Sequence, residues 1–152
     1  MRIESIETLI DWTREVHFHL AKALAAGQQI QQEERARELL EYLQQQETEL
    51  GKMVAGFEEQ ADPKALHTMV YDYEVHSPLE IDRLSDKPYG TMTYDAIAAD
   101  VFASHQQIQE LYRYLLGRSA IPEEQELLEA LLGVEEHETM QLSQQINRGR
   151  DI

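Results

Sequence analysis

Apolar residues recur every three or four positions along four long stretches of this chain, the spacing of helices with one buried face. Ile6, Leu9, Val16, Leu20 and Leu24 form one stripe, ending at Gly27, and predict a helix over about 5–26. Leu39, Leu43, Leu50, Val54 and Phe57 form a second, over about 31–59. Thr93 suits the N-cap of a third, over about 93–117, in which Ile97, Val101, Ile108, Leu111 and Leu115 align. Ala120-Ile121-Pro122 precedes a fourth, over about 122–147, since proline suits a first helical turn. Glutamine, glutamate, alanine and leucine dominate these stretches, and all favour helix.

Short turns separate the first two helices and the last two, so each pair is expected to fold as an antiparallel hairpin. A crossover of about 60–92 joins the hairpins. Within it, Asp62-Pro63 and Ser77-Pro78 each place a capping residue before proline, which predicts one or two short helices. The pattern therefore describes one all-α domain over 1–152, an up-down four-helix bundle of two hairpins and a long crossover.

Polar residues break the stripes near mid-helix. At about 100° per residue, Thr13 falls within the first stripe and His17 at its edge. Gln46 and Glu47 flank the second stripe, His105 lies inside the third, and Glu135 and Glu138 lie on the fourth. Glu136 points outward, and His137 a quarter-turn or more away. A turn near Ala120 brings His105 level with Glu135. A turn near Gln29 leaves His17 about one helical turn from the level of Gln46 and Glu47, with Thr13 closer.

A polar layer drawn from four helices is thus expected. Inward carboxylates and imidazoles can hold one or two ions of iron, manganese or zinc, and an open position on such an ion admits dioxygen or peroxide. The candidate ligands are His105, Glu135, Glu138, Glu47, His17 and His137. The alternative is a metal-free layer in which a His105–Glu135 hydrogen bond satisfies both groups and fixes helix register. Tyr42 and Tyr112, near the helix faces, are candidate hydrogen-bonding phenols. His19 reads as a surface partner of Glu15. His67 and His76 lie in the crossover without a constellation, and the His-x-x-x-Glu spacing of HSPLE (76–80) is interrupted by Pro78.

Composition narrows the field. The 152 residues include 29 acidic and 13 basic side chains, a formal charge of −16. Such a surface repels phosphate backbones and anionic lipid, which argues against nucleic-acid and membrane partners. The absence of cysteine excludes disulfides, thiolate catalysis and thiolate-held clusters. No segment approaches the roughly 20 apolar residues of a membrane span. MRIESIETLIDWTREV has acids early and no long apolar run, so no signal peptide is expected and a cytoplasmic location is. Neither a Gly-x-Ser-x-Gly elbow nor a phosphate loop is present. Trp12, Phe18 and Met140 are expected off the core stripes, where they would suit a homodimer or another protein partner. The tyrosines of the crossover region (Tyr71, Tyr73, Tyr89, Tyr94) leave small-molecule binding as a third reading.

Four segments carry a family resemblance: VHFHLAKAL (16–24), ARELLEYLQQQETEL (36–50), ASHQQIQELYRYL (103–115) and VEEHETM (134–140). Together they resemble the ferritin-like superfamily, which includes ferritins, rubrerythrins and other diiron-carboxylate proteins. Within it the chain is most similar to small bacterial ferritin-like proteins of unassigned function. The resemblance implies a ferritin-like bundle; a metal-dependent oxidoreductase or an oxygen or peroxide sensor is the expectation where the polar layer holds metal, and the superfamily's own activity is not carried over. The sequence departs from the superfamily in having no Glu-x-x-His. Glu47 is followed three residues later by Leu50, Val134 stands three before His137, and His105 stands where glutamate is usual. Gln46 precedes Glu47 where the closer group has a His-Glu pair.

Overall fold

The computed structural model describes residues 3–71 and 80–150. Among these, the regular structure is helical, with a single isolated bridge between Ser5 and Met69. Four helices are long: α1 (Ile6–Ile30), α2 (Glu34–Gln60), α5 (Tyr94–Gly117) and α6 (Pro122–Arg150). Two short helices, α3 (Pro63–Leu66) and α4 (Ile81–Leu84), and a 3-10 turn at Tyr89–Thr91 occupy the described parts of the crossover. The Ser77-Pro78 cap, His76, Tyr73 and most of the HSPLE stretch lie outside the described residues. No helix among the described residues is long and apolar enough to cross a membrane.

Local chemistry sets the helix starts. Ser5 and Thr8 form a reciprocal capping box on α1. The Glu33 carboxylate accepts from the backbone N–H groups of Arg35 and Ala36 at the start of α2, where a negative charge also suits the helix dipole. Asp62 caps α3 ahead of Pro63, and Thr93 caps α5 by accepting from Ala96 N–H. Pro122 opens α6.

The expected stop at Gly27 is corrected by the structure: α1 continues to Ile30, and Gln31 N–H closes it on the Gly27 carbonyl. Gly27 serves a close approach. A Cβ there would lie 2.7 Å from Tyr89 Cβ and 3.0 Å from Gly90 N, so the bare backbone is what lets the 3-10 turn sit on α1. Gly27→Ala should therefore destabilise by about 1–3 kcal/mol, overcrowding outweighing the gain in helix propensity. Gly133, also helical but with nothing within 4 Å of an added Cβ, is the control. Gly133→Ala should stabilise by roughly 0.5–1 kcal/mol. Denaturant midpoints of the two variants test both signs.

α1 packs along α2 and α5 along α6, and α2 also touches α5 and α6. The buried side chains separate into two apolar clusters. One holds Ile10, Val16, Val54, Ile108, Tyr112 and Leu131; the other holds Leu24, Leu43, Val101 and Leu142. In α2, α5 and α6 the boundary between them falls at Glu47, His105 and Glu135. Trp12, expected off the core, is buried in the first cluster, while Phe18 is half-buried and Met140 is exposed. Trp12 lies beside Thr13 and one turn before Val16, on the flank of a stripe that α1 buries more widely than its leucines and isoleucines indicate.

Candidate metal centre

His17, Glu47 and His105 meet between the two apolar clusters, contributed by α1, α2 and α5, and Glu135 of α6 completes the layer. His17, Glu47 and His105 are fully buried and Glu135 is 1 % exposed. Glu47 is the hub. Its Oε2 accepts from His17 Nδ1 at 2.6 Å, and its Oε1 accepts from His105 Nε2. His17 Nε2 lies 2.7 Å from Glu135 Oε1. The rings of His17 and His105 stand edge to face, 5.6 Å apart between centroids.

Charge follows from these contacts. Burial alone pushes the His17 imidazole down, but the carboxylates of Glu135 and Glu47 on either side outweigh it and raise the group to about 10. Burial pushes the Glu47 carboxyl up, yet His105 and His17 hold it down at about 2. His17 is therefore a cation clamped between two acceptors. Since a carboxylate only accepts, His105 carries its proton on Nε2 towards Glu47. In the neutral form its Nδ1 then accepts from the Thr139 hydroxyl, at 3.0 Å. Thr139 Oγ1 in turn accepts from Gln109 Nε2 at 3.0 Å. At the other end, Glu135 Oε2 is buried with no hydrogen-bond partner among the described residues.

His17, Glu47 and His105 each offer one ligand atom, all within 4.8 Å of one another, so this buried group can hold a metal ion. Two imidazoles and a carboxylate are a donor set suited to iron(II) or zinc. Binding through His105 Nε2 would move its proton to Nδ1, where Thr139 Oγ1 can accept it.

The remaining sequence candidates fall elsewhere. Glu138 is half-buried, and its charge acts on Tyr42, whose phenol is raised first by burial and then by that carboxylate. His137 is exposed on the far side of α6 from the layer, and Gln46 is half-buried beside Glu47. Thr13 is buried but faces Tyr112, their hydroxyls 2.7 Å apart. The expected His105–Glu135 hydrogen bond is corrected: each bonds instead to a residue of the other hairpin, His105 to Glu47 and Glu135 to His17. His19 Nδ1–H donates to the Glu15 backbone carbonyl at 2.8 Å, with the Glu15 carboxylate 3.6 Å away, the pairing on α1 that its spacing leads one to expect.

His17 moved from the margin to the centre for one reason. With α1 running to Ile30, the turn is centred at Gln32, and His17 lies as far before it as Glu47 lies after it. Thr139 and Gln109 were not singled out by sequence. The available signal was spacing: Gln109 stands one turn after His105, and Thr139 one turn after Glu135. No known protein family matches this chain, and no curated protein or solved structure shows significant similarity to it.

Proposed function

We propose that this chain is a ferritin-like bundle whose buried layer binds a single divalent transition-metal ion through His17, His105 and Glu47, with Glu135 as the fourth donor. The observation that carries the reading is the meeting of His17, Glu47 and His105 from three helices as a buried group able to hold an ion, with Glu135 of a fourth helix against His17 and its second carboxylate oxygen buried and unpartnered among the described residues. A buried carboxylate oxygen without a donor is costly, and a cation relieves that cost. Two carboxylates and two neutral imidazoles balance one divalent charge, whereas two ions would leave an excess inside an apolar core. If the ion is iron, it supplies one-electron chemistry toward dioxygen or peroxide, and an oxidoreductase or sensor role follows. With zinc or manganese as the native ion, the same side chains would serve a different chemistry on the same frame.

A second reading has its own support. Both nitrogens of both imidazoles and both oxygens of Glu47 already have partners. Such a layer can act without metal, fixing the register of the two hairpins while the outer surface meets partner proteins.

Elemental analysis and melting separate the two. The metal reading expects close to one equivalent of iron, manganese or zinc on purified protein, and a melting temperature that falls on chelation and recovers with added ion. His105→Ala should lose the bound ion. Metal-free protein whose melting temperature ignores Fe(II), Mn(II) and Zn(II) would leave the second reading standing alone.

A further inference from the structure

The buried centre is sealed, so any ion that reaches it needs a path. Among the described side chains hydrogen-bonded to its four residues, Thr139 alone is partly exposed. Thr139 lines a groove of about 430 Å³ on the outer face of α5 and α6, with Phe102, Gln109, Glu136, Met140 and Ser143. The floor of that groove and the edge of the centre are thus the same two residues, Thr139 and Gln109. We propose that this groove is the port by which a small divalent cation enters and leaves the centre, with Thr139 as the gate and Gln109 as its latch. The proposal rests on the metal-binding reading above.

The chemistry of the groove fits such a traveller. Glu136 stands exposed at its edge and attracts cations, and the Phe102 ring and the exposed Met140 thioether add electron density that a cation can meet. Gln109 is held in place from both sides: its Nε2 donates to Thr139 Oγ1, and its Oε1 accepts from Arg113 at 3.1 Å. Arg113 is also paired with Glu136, at 3.3 Å. That outer pair is about half exposed on both sides and so is weakly held. A cation drawn to Glu136 competes with Arg113 for the carboxylate and loosens the residue that holds the latch. Rotamer changes at 109 and 139 then uncover His105 without any helix moving, on a timescale that side chains reach readily.

Metal exchange rates provide the test, read apart from equilibrium affinity. Cobalt(II) uptake by metal-free protein and its removal by chelator are followed in a stopped-flow spectrometer. Met140→Trp and Ser143→Trp, which plug the groove without touching the centre, should slow uptake and release alike by about tenfold, with affinity changed less than twofold. Gln109→Ala should speed both. Gln141→Trp, exposed on the same helix, is the control for a bulky surface substitution. Unchanged rates in both plugged variants would overturn the port. Should the native protein take no cobalt at all, the metal reading fails first, and the port is then judged in metal-free protein by NMR. Exchange of the His105 ring N–H with solvent should accelerate in Gln109→Ala and slow in Met140→Trp; equal exchange in all three proteins rejects the route.

Discussion

Glu47→Leu should cost the fold about 3–5 kcal/mol, the range seen when one partner of a buried ion pair is removed, and should abolish metal binding. Among the described residues, Glu47 alone is hydrogen-bonded to both imidazoles of the layer. Without it, His17 keeps one carboxylate, Glu135, and His105 loses the acceptor of its Nε2–H in a site with no exposure to water. Glu47→Gln should fall between, since the amide can accept from one imidazole but turns a donor toward the other. The more telling variant replaces all four polar residues together, as in His17→Leu, Glu47→Leu, His105→Leu and Glu135→Leu. An apolar layer joining the two clusters should recover most of the lost stability, because a desolvated charge network is rarely better than good packing. Urea midpoints, with unchanged m-values, give the comparison. Recovery combined with lost ion binding identifies the layer as functional rather than stabilising. A quadruple variant as unstable as Glu47→Leu would contradict that view and give the layer a role in folding itself.

The four long helices were readable because their apolar stripes are long and their starts carry recognisable caps, Thr93 and Pro122 above all. The centre was readable only in part, because its assembly depends on register, and register depends on where a helix ends. Gly27 reads as a helix stop in any sequence; its actual role, making room for Tyr89, involves a residue more than sixty positions away that no local pattern connects to it. That single displacement of the turn put His17 one helical turn out of place. His105 and Glu135 were brought to one level correctly, yet their partners run across the bundle, from hairpin to hairpin, a choice made by packing and not by spacing along either chain segment. Glu138 and His137 show the limit of a helical wheel: two residues adjacent to a true inward position lie on its flank and its back, and only the neighbouring helices decide which carboxylate is covered.

Metal-free protein should be most stable between about pH 4.5 and 6.5 and should weaken in both directions. His17 is raised from 6.5 to about 10 in the folded chain, so the folded state holds its proton more tightly than the unfolded state does. That contribution is complete below pH 6.5 and is lost as pH climbs through 10, a change on the order of 4–5 kcal/mol. Glu47, lowered from 4.5 to about 2, works in the opposite sense. Its contribution is complete above pH 4.5 and disappears as pH falls through 2. The quadruple leucine variant lacks both groups and should lose both slopes, which separates them from the general repulsion of a chain with charge −16. On the proposed metal-binding reading, a divalent ion would take the place of the His17 proton between the same carboxylates. Metal-loaded protein should therefore keep its stability through the alkaline range, and the gap between loaded and metal-free melting temperatures should widen from pH 6 to pH 9. Melting curves collected at unit pH intervals, with and without one equivalent of zinc, would show it; a gap that narrows with rising pH would mean that the ion does not displace this proton.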